Sequence, residues 1–246
     1  MTKQLLIYGT VTALTRRDHG DLAYKAAESF EFARGVNAAP LVVGEFLPAA
    51  NDFAVVFAPG AEMPLPVALF GVEAEANAFV DAEGKWLGGY VPAFLRRWPF
   101  VFSTDAVGDT FTLCIDETAP GFNREGRGER LFDSEGVPTG YTNRMMDFLR
   151  EFQAQHERTK AFGKKLLELD VLQSVEAHIP LPGQAARTLT GFQVVNREKL
   201  KALSAEVVET MFRGDELELV YLHLFSLRNL ERLRDRAVQA LDQSAT

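Results

Sequence analysis

"LELVYLHLFSL" (residues 217–227) is the stretch on which the fold turns. Only Glu218, His223 and Ser226 interrupt its apolar run, and Asp215 and Glu216 precede it, where a helix dipole favours acids. A surface helix shows one apolar stripe, whereas a helix apolar almost all round needs cover on every side. Two arrangements supply that cover: a core continuous with the front of the chain, or a homodimer interface. At 246 residues, 47% hydrophobic and 24% charged, the chain has the apolar content for a large core.

The helix built on this stretch is predicted over about residues 215–241. Ahead of it, "NREKLKALSAEVVETMFRGD" (196–215) predicts a helix with Asn196 as N-cap and Gly214 at its end. "AHIPLPGQAART" (177–188) is a break. Before that break, Thr142 reads as the cap of a helix whose stripe of Met145, Phe148, Leu149 and Phe152 runs to about Asp170.

The front of the chain reads differently. "FAVVFA" (53–58), "LPVALFGV" (65–72) and "DTFTLCID" (109–116) have the β-branched and aromatic content of strands. "DLAYKAAESFEFA" (21–33) is a looser strand candidate, and "APLVVGEFLPAAND" (39–52) predicts a short helix or turns. Turns are expected at Asp81–Gly84 and Gly108–Asp109. Residues 117–140 hold five glycines and two prolines and read as a long loop or boundary. The expectation is an α+β fold. A strand-rich part (1–120) packs, across a connection (121–140), on a helical part (141–246), most simply as one continuous core.

Charge narrows the function classes. The net charge is −8, with −7 in residues 1–123 and −1 in 124–246, so no basic surface for nucleic acid is expected. The single cysteine, Cys114, lies in an apolar run and is expected to be a small buried hydrophobe. The apolar run at Leu5–Tyr8 is too short for a signal peptide, and no span of about 18 apolar residues occurs. No integral membrane segment is therefore predicted, and the expected location is cytoplasmic. No cofactor is predicted.

Binding chemistry concentrates in "GGYVPAFLRRWPFVF" (88–102). Pro92 suits the first turn of a helix and Pro99 disfavours helix at Trp98, so Pro92–Arg97 is expected to make one or two turns. Neighbours on a helix point about 100° apart, so Arg96 and Arg97 divide their work. One guanidinium is expected against aromatic faces with a carboxylate partner, for which Glu45 is the candidate. The other reaches a groove or solvent, where Arg suits an anionic group. The candidate ligand-binding set is Tyr90, Arg96, Arg97, Trp98 and Glu45.

Other sites read as weaker alternatives. His19 and Asp21 have the H-x-D spacing of a ferrous site, with a third ligand from His156, His178 or His223, although these lie on or near predicted helices. His223 on its apolar helix reads as a satisfied core histidine. "NREGRGER" (123–130) matches no phosphate loop and predicts a mobile surface loop; the arginines of 228–236 alternate with acids and predict a solvated face. No nucleophile elbow or zinc-protease pattern is present.

"DHGDL", "PLVVGEF", "LPVALFGVEAEANAFVDAEGKW", "YVPAFLRRWPF", "GFQVVNREKLKAL" and "GDELELVYLHLFSLRNLERL" follow one another in this order. In these segments the chain resembles the bacterial SapC-like family over roughly residues 15–235. Members of that family are named from a surface-layer gene cluster and often labelled as peptide-transport proteins. They are encoded near flavin-dependent halogenases, oxygenase-like proteins and TonB-dependent receptors. The resemblance implies work beside an outer-membrane uptake or modification system, and it supplies no catalytic mechanism. The transport label conflicts with a chain lacking an apolar span. The expected function is a non-catalytic binding or accessory protein whose partner is a protein or a small anionic ligand. The alternative is a metal-dependent oxygenase using His19 and Asp21.

Overall fold

In the computed structural model, which describes residues 7–26, 28–60, 62–104, 111–181 and 185–244, strands and helices interleave along the chain. The order is β1 (Val11–Ala13), α1 (Arg16–His19), β2 (Ala23–Tyr24), β3 (Ala38–Pro40), α2 (Phe46–Asp52), β4 (Val55–Ala58), β5 (Leu65–Leu69) and α3 (Ala93–Arg96). Then come β6 (Phe100–Thr104), β7 (Phe111–Asp116), β8 (Phe122–Asn123), β9 (Glu129–Arg130) and α4 (Gly140–Glu168). The chain finishes with β10 (Leu172–Ile179), β11 (Arg187–Val195), α5 (Arg197–Lys201), α6 (Ala205–Arg213), α7 (Glu216–Ser226) and α8 (Asn229–Ser244). This is an α+β protein with a strand-rich front and a C-terminal set of helices. No helix among the described residues is long and apolar enough to cross a membrane.

The main sheet has the order β10-β11-β4-β5-β3, antiparallel throughout. Its hairpin β10–β11 lies between the helix predicted to end near Asp170 and the one predicted from Asn196, in a stretch for which only the break at 177–188 was expected. Leu172–Ile179 and Arg187–Val195 pair there as antiparallel strands, with β-branched Val175, Ile179, Val194 and Val195 among them, and Pro180 directly follows the first. The helix ahead of it starts at Gly140 rather than after Thr142. Thr139 is the N-cap, and Thr142 is buried with its hydroxyl donating to the Leu131 carbonyl at 2.7 Å. The predicted 196–214 helix is two helices, α5 and α6, each with its own cap, Asn196 and Ser204. The last helix is likewise divided at Leu227–Arg228.

Two smaller sheets complete the front, β1-β7-β6 and β8-β2-β9. The second enlists the predicted mobile loop: β8 and β9, at the two ends of "NREGRGER", pair with opposite sides of β2. Gly128 (φ +87°) lies so close to β2 that a side chain there would meet the Tyr24 carbonyl. The predicted Gly108–Asp109 turn lies outside the described residues.

One cluster of buried apolar side chains runs from Ile7 to Ala237 and draws on both the front strands and the C-terminal helices. α7 buries one face in it, through Val220, His223, Leu224 and Ser226, while Glu218, Tyr221 and Phe225 stay exposed, so the helix is not covered on every side as its apolar sequence predicts. Over the buried face the sheet is incomplete. β11 and β4 share a single register pair, Gln193 with Phe57, and splay apart beyond it. His223 fills the gap. Its Nε2 accepts from the Val195 N–H at 3.0 Å, so the proton sits on Nδ1, which donates to the Val55 carbonyl at 2.8 Å. Ser226 accepts the Val55 N–H at 2.9 Å and donates to the His223 carbonyl at 2.6 Å. Two of the three polar letters inside the apolar stretch, His223 and Ser226, are thus the ladder rungs that two strands lack.

Candidate functional site

α3 and its flanks hold the residues singled out from the sequence, and they part into two groups. On one side, Glu45 is buried and accepts three hydrogen bonds: from the Tyr90 hydroxyl at 2.7 Å, the Ala93 N–H at 2.6 Å and the Val42 N–H at 3.0 Å. Burial, with Glu45 adding to it, pushes the Tyr90 hydroxyl up to about 12. Arg96 donates to the same hydroxyl at 3.2 Å and to the Val91 carbonyl at 2.9 Å, and lies over the rings of Tyr90 and Phe148. Glu45 therefore serves a tyrosine and backbone amides; the guanidinium reaches it only through Tyr90. The carboxylate satisfies donors at two chain turns that would otherwise be buried without acceptors.

On the other side Arg97 is 3% exposed, with Tyr8, Phe94 and Phe152 rings 4.4 to 5.7 Å from its guanidinium carbon. Burial lowers its pKa, and Tyr8 works against that shift. Burial also pushes the Tyr8 hydroxyl up to about 12, although Arg97 pulls it down. That hydroxyl donates to the Phe100 carbonyl at 2.9 Å. Both guanidiniums lie over aromatic rings, and the two arginines differ in burial: Arg97 is buried and Arg96 exposed.

Beside Tyr8 opens a groove of about 500 Å³. Phe32 and Trp98 form one wall, stacked with centroids 4.0 Å apart and planes 13° from parallel. Asp116 also lines the groove. Its Oδ2 accepts the Gly9 N–H at 2.7 Å, and its Oδ1 takes the Thr118 hydroxyl at 2.6 Å and the N–H groups of Thr10 and Thr118. Burial works to raise the pKa of this carboxyl, but those four hydrogen bonds outweigh it and hold Asp116 below the usual carboxylate range. Glu31, also lining the groove, pairs with Arg34. Of the sequence-derived set only Trp98 lines this groove; Tyr90, Arg96 and Glu45 stand apart from it. Tyr8, Phe32 and Asp116 were missed. Phe32 had a legible signal, the alternation "SFEFA", whereas Asp116 reads only as the last residue of a strand.

The remaining candidates do structural work. His19 is buried, its Nδ1 accepting from the Thr15 N–H at 3.0 Å and its Nε2 lying 2.9 Å from Glu117 Oε1. Asp21 faces elsewhere and pairs with Arg124. Among the described residues no three His, Cys, Asp or Glu side chains gather into a metal-holding set. His178 meets Thr188, and His156, half-buried on α4, has its pKa lowered by burial. Cys114 is buried on β7. The C-terminal arginines act as staples: Arg232 donates to the Asn51 carbonyl, Arg236 to that of Leu87 while lying over Phe79, and Arg234 pairs with Asp235.

Comparison with curated proteins and with solved structures gave no match. The family model for SapC does match, over residues 14–233 of the 246. That span takes in the His19 turn, α3 with Glu45, Tyr90, Arg96 and Arg97, the groove residues from Ser29 to Pro120 and the whole of α7, while Ile7, Tyr8 and Gly9 of the groove precede it. The chain belongs to the SapC family.

Proposed function

We propose that this protein is a non-catalytic binding protein, an accessory of a bacterial surface, uptake or modification system, and that it holds its ligand in the groove at Trp98. The observation that carries this reading is the Phe32–Trp98 stack lining the same groove as the ionised Asp116. A stacked aromatic wall suits a flat apolar or aromatic group. The carboxylates around it favour a neutral group or a cation. The cation expected for an anionic ligand, Arg96, stands with Tyr90 outside this groove, and Arg97 is buried. The absence of catalysis is supported by how the reactive side chains are used: His19, His223 and Glu45 are each engaged in internal hydrogen bonds, and Cys114 is buried.

The chain has two tryptophans, Trp86 and Trp98, so Trp86→Phe leaves Trp98 as a fluorescent reporter of the groove. Titration with phenethylammonium is expected to give a saturable change in emission that Phe32→Ala abolishes. Phenylacetate, the matched anion, is expected to bind at least about tenfold more weakly, since a like charge beside Asp116 costs on the order of 1 kcal/mol or more. Saturation by neither probe would remove the groove from the proposal.

A further inference from the structure

The face of α7 turned away from the sheet carries Glu218, Tyr221 and Phe225, and Arg228 continues it past the helix end. The spacing of three, four and three residues keeps all four on one stripe. Tyr221 is 54% and Phe225 46% exposed, and Glu218 and Arg228 are exposed as well. The Arg228 guanidinium carbon lies 3.8 Å from the Phe225 ring centroid, so the turn after Ser226 leaves it on the stripe. Behind the stripe, Val220, His223 and Leu224 are buried towards β4 and β11, and α2 and α6 pack against the same helix. What remains open is a narrow aromatic strip with an acid at one end and a base at the other. An ordinary surface helix puts charged residues where this one puts Tyr and Phe.

The strip is self-complementary. Positions 218 and 228, and positions 221 and 225, are equidistant from residue 223. Two copies laid antiparallel about a two-fold axis at residue 223 bring Glu218 opposite the partner's Arg228 twice. The same operation brings Tyr221 opposite the partner's Phe225 twice. A parallel pairing would set Glu against Glu and Arg against Arg. From this we infer that the occupant of the α7 face is a second copy of the chain, paired antiparallel in an isologous dimer. Aromatic contacts supply the attraction and the terminal charges fix direction and register. One helix face is a small interface, so the dimer is reversible and populated in proportion to concentration. No residue of α7 lines the Trp98 groove, so this inference stands apart from the proposed ligand site.

Sedimentation velocity of the full chain over a concentration series tests it. The expected result is a reversible monomer–dimer equilibrium. Glu218→Arg sets Arg against Arg at both ends, and Arg228→Glu sets Glu against Glu; each is expected to weaken the dimer about tenfold or more at low salt. The double variant E218R/R228E restores the dimer with its charges exchanged. Mixing the two single variants also restores it, because each then meets its opposite. All four positions are exposed, and unchanged circular dichroism and melting of each variant confirm that folding is intact. A monomer at every concentration overturns the inference. So does a dimer indifferent to both reversals, or single losses that neither the double variant nor the mixture repairs.

Discussion

Two regions of this protein each tie down a buried histidine through both ring nitrogens, and they do so in opposite ways. At the turn before β2, His19 links the Thr15 N–H to Glu117, whose side chain is 46% exposed. At the centre of the sheet, His223, fully buried, links two backbone groups, Val195 N–H and Val55 C=O. The first site is bordered by solvent that can replace its partner. The second has no substitute for either bond. A residue type therefore says little about its worth; the medium around its partners decides it.

That contrast is open to measurement. The largest effect belongs to His223→Ala, which leaves a buried N–H and a buried carbonyl unpaired and opens a hole between β4 and β11. A loss of about 3–5 kcal/mol is expected in chemical denaturation. A loss below about 1 kcal/mol would mean that the strands close without the ring.

Acid comes next. Burial pushes the His223 pKa down to about 4 from an ordinary value of 6.5. Between those values the unfolded chain binds a proton that the folded chain refuses, so stability present above pH 6.5 is lost as the pH falls towards 4. The difference corresponds to roughly 3 kcal/mol. It would appear as a falling melting temperature across that window, and a His223→Gln variant should lack it.

The smallest effect is at the other histidine. Glu117→Ala should cost about 1 kcal/mol or less, because an exposed carboxylate is readily replaced by water, and it should leave the acid window unchanged. His19 holds Glu117 below the usual carboxylate range, so this small contribution is lost only at lower pH, where the carboxylate protonates. A cost comparable to that at His223 would erase the distinction between the two regions.

The same distinction explains what could be read from the sequence. Local signals were legible where local physics decides: β4, β5 and β7 from β-branched content, Asn196 as a cap, Arg96 and Arg97 as a split pair. The satisfied His223 was legible as a type, since a lone histidine in an apolar helix must find partners. Which partners it finds depends on strands 28 and 168 residues earlier, and no local window of sequence contains both. The β10–β11 hairpin was hidden for a related reason. Its exposed positions carry Gln, Glu, His and Thr, so it lacks a continuous apolar run, and its two strands become legible only through their pairing with each other. The groove failed in the same way: Trp98, Phe32 and Asp116 come from three separate segments, and only their meeting makes a wall.

The bond from the Val55 N–H to Ser226 spans 171 residues, and that separation is also an interval of time. At ribosomal speeds of about 5–20 residues per second, roughly 10–30 s pass between synthesis of the two. During that interval Val55, Val56 and Phe57, all fully buried in the finished molecule, lie along a strand with an unclosed side. Neither the β11 hairpin nor α7 yet exists to close it. A nascent chain in this state exposes its most apolar strand and needs either a holding chaperone or a fast ribosome. A chain cut short before Ser226 is expected to aggregate rather than to form a smaller folded domain, which its solubility on expression would show.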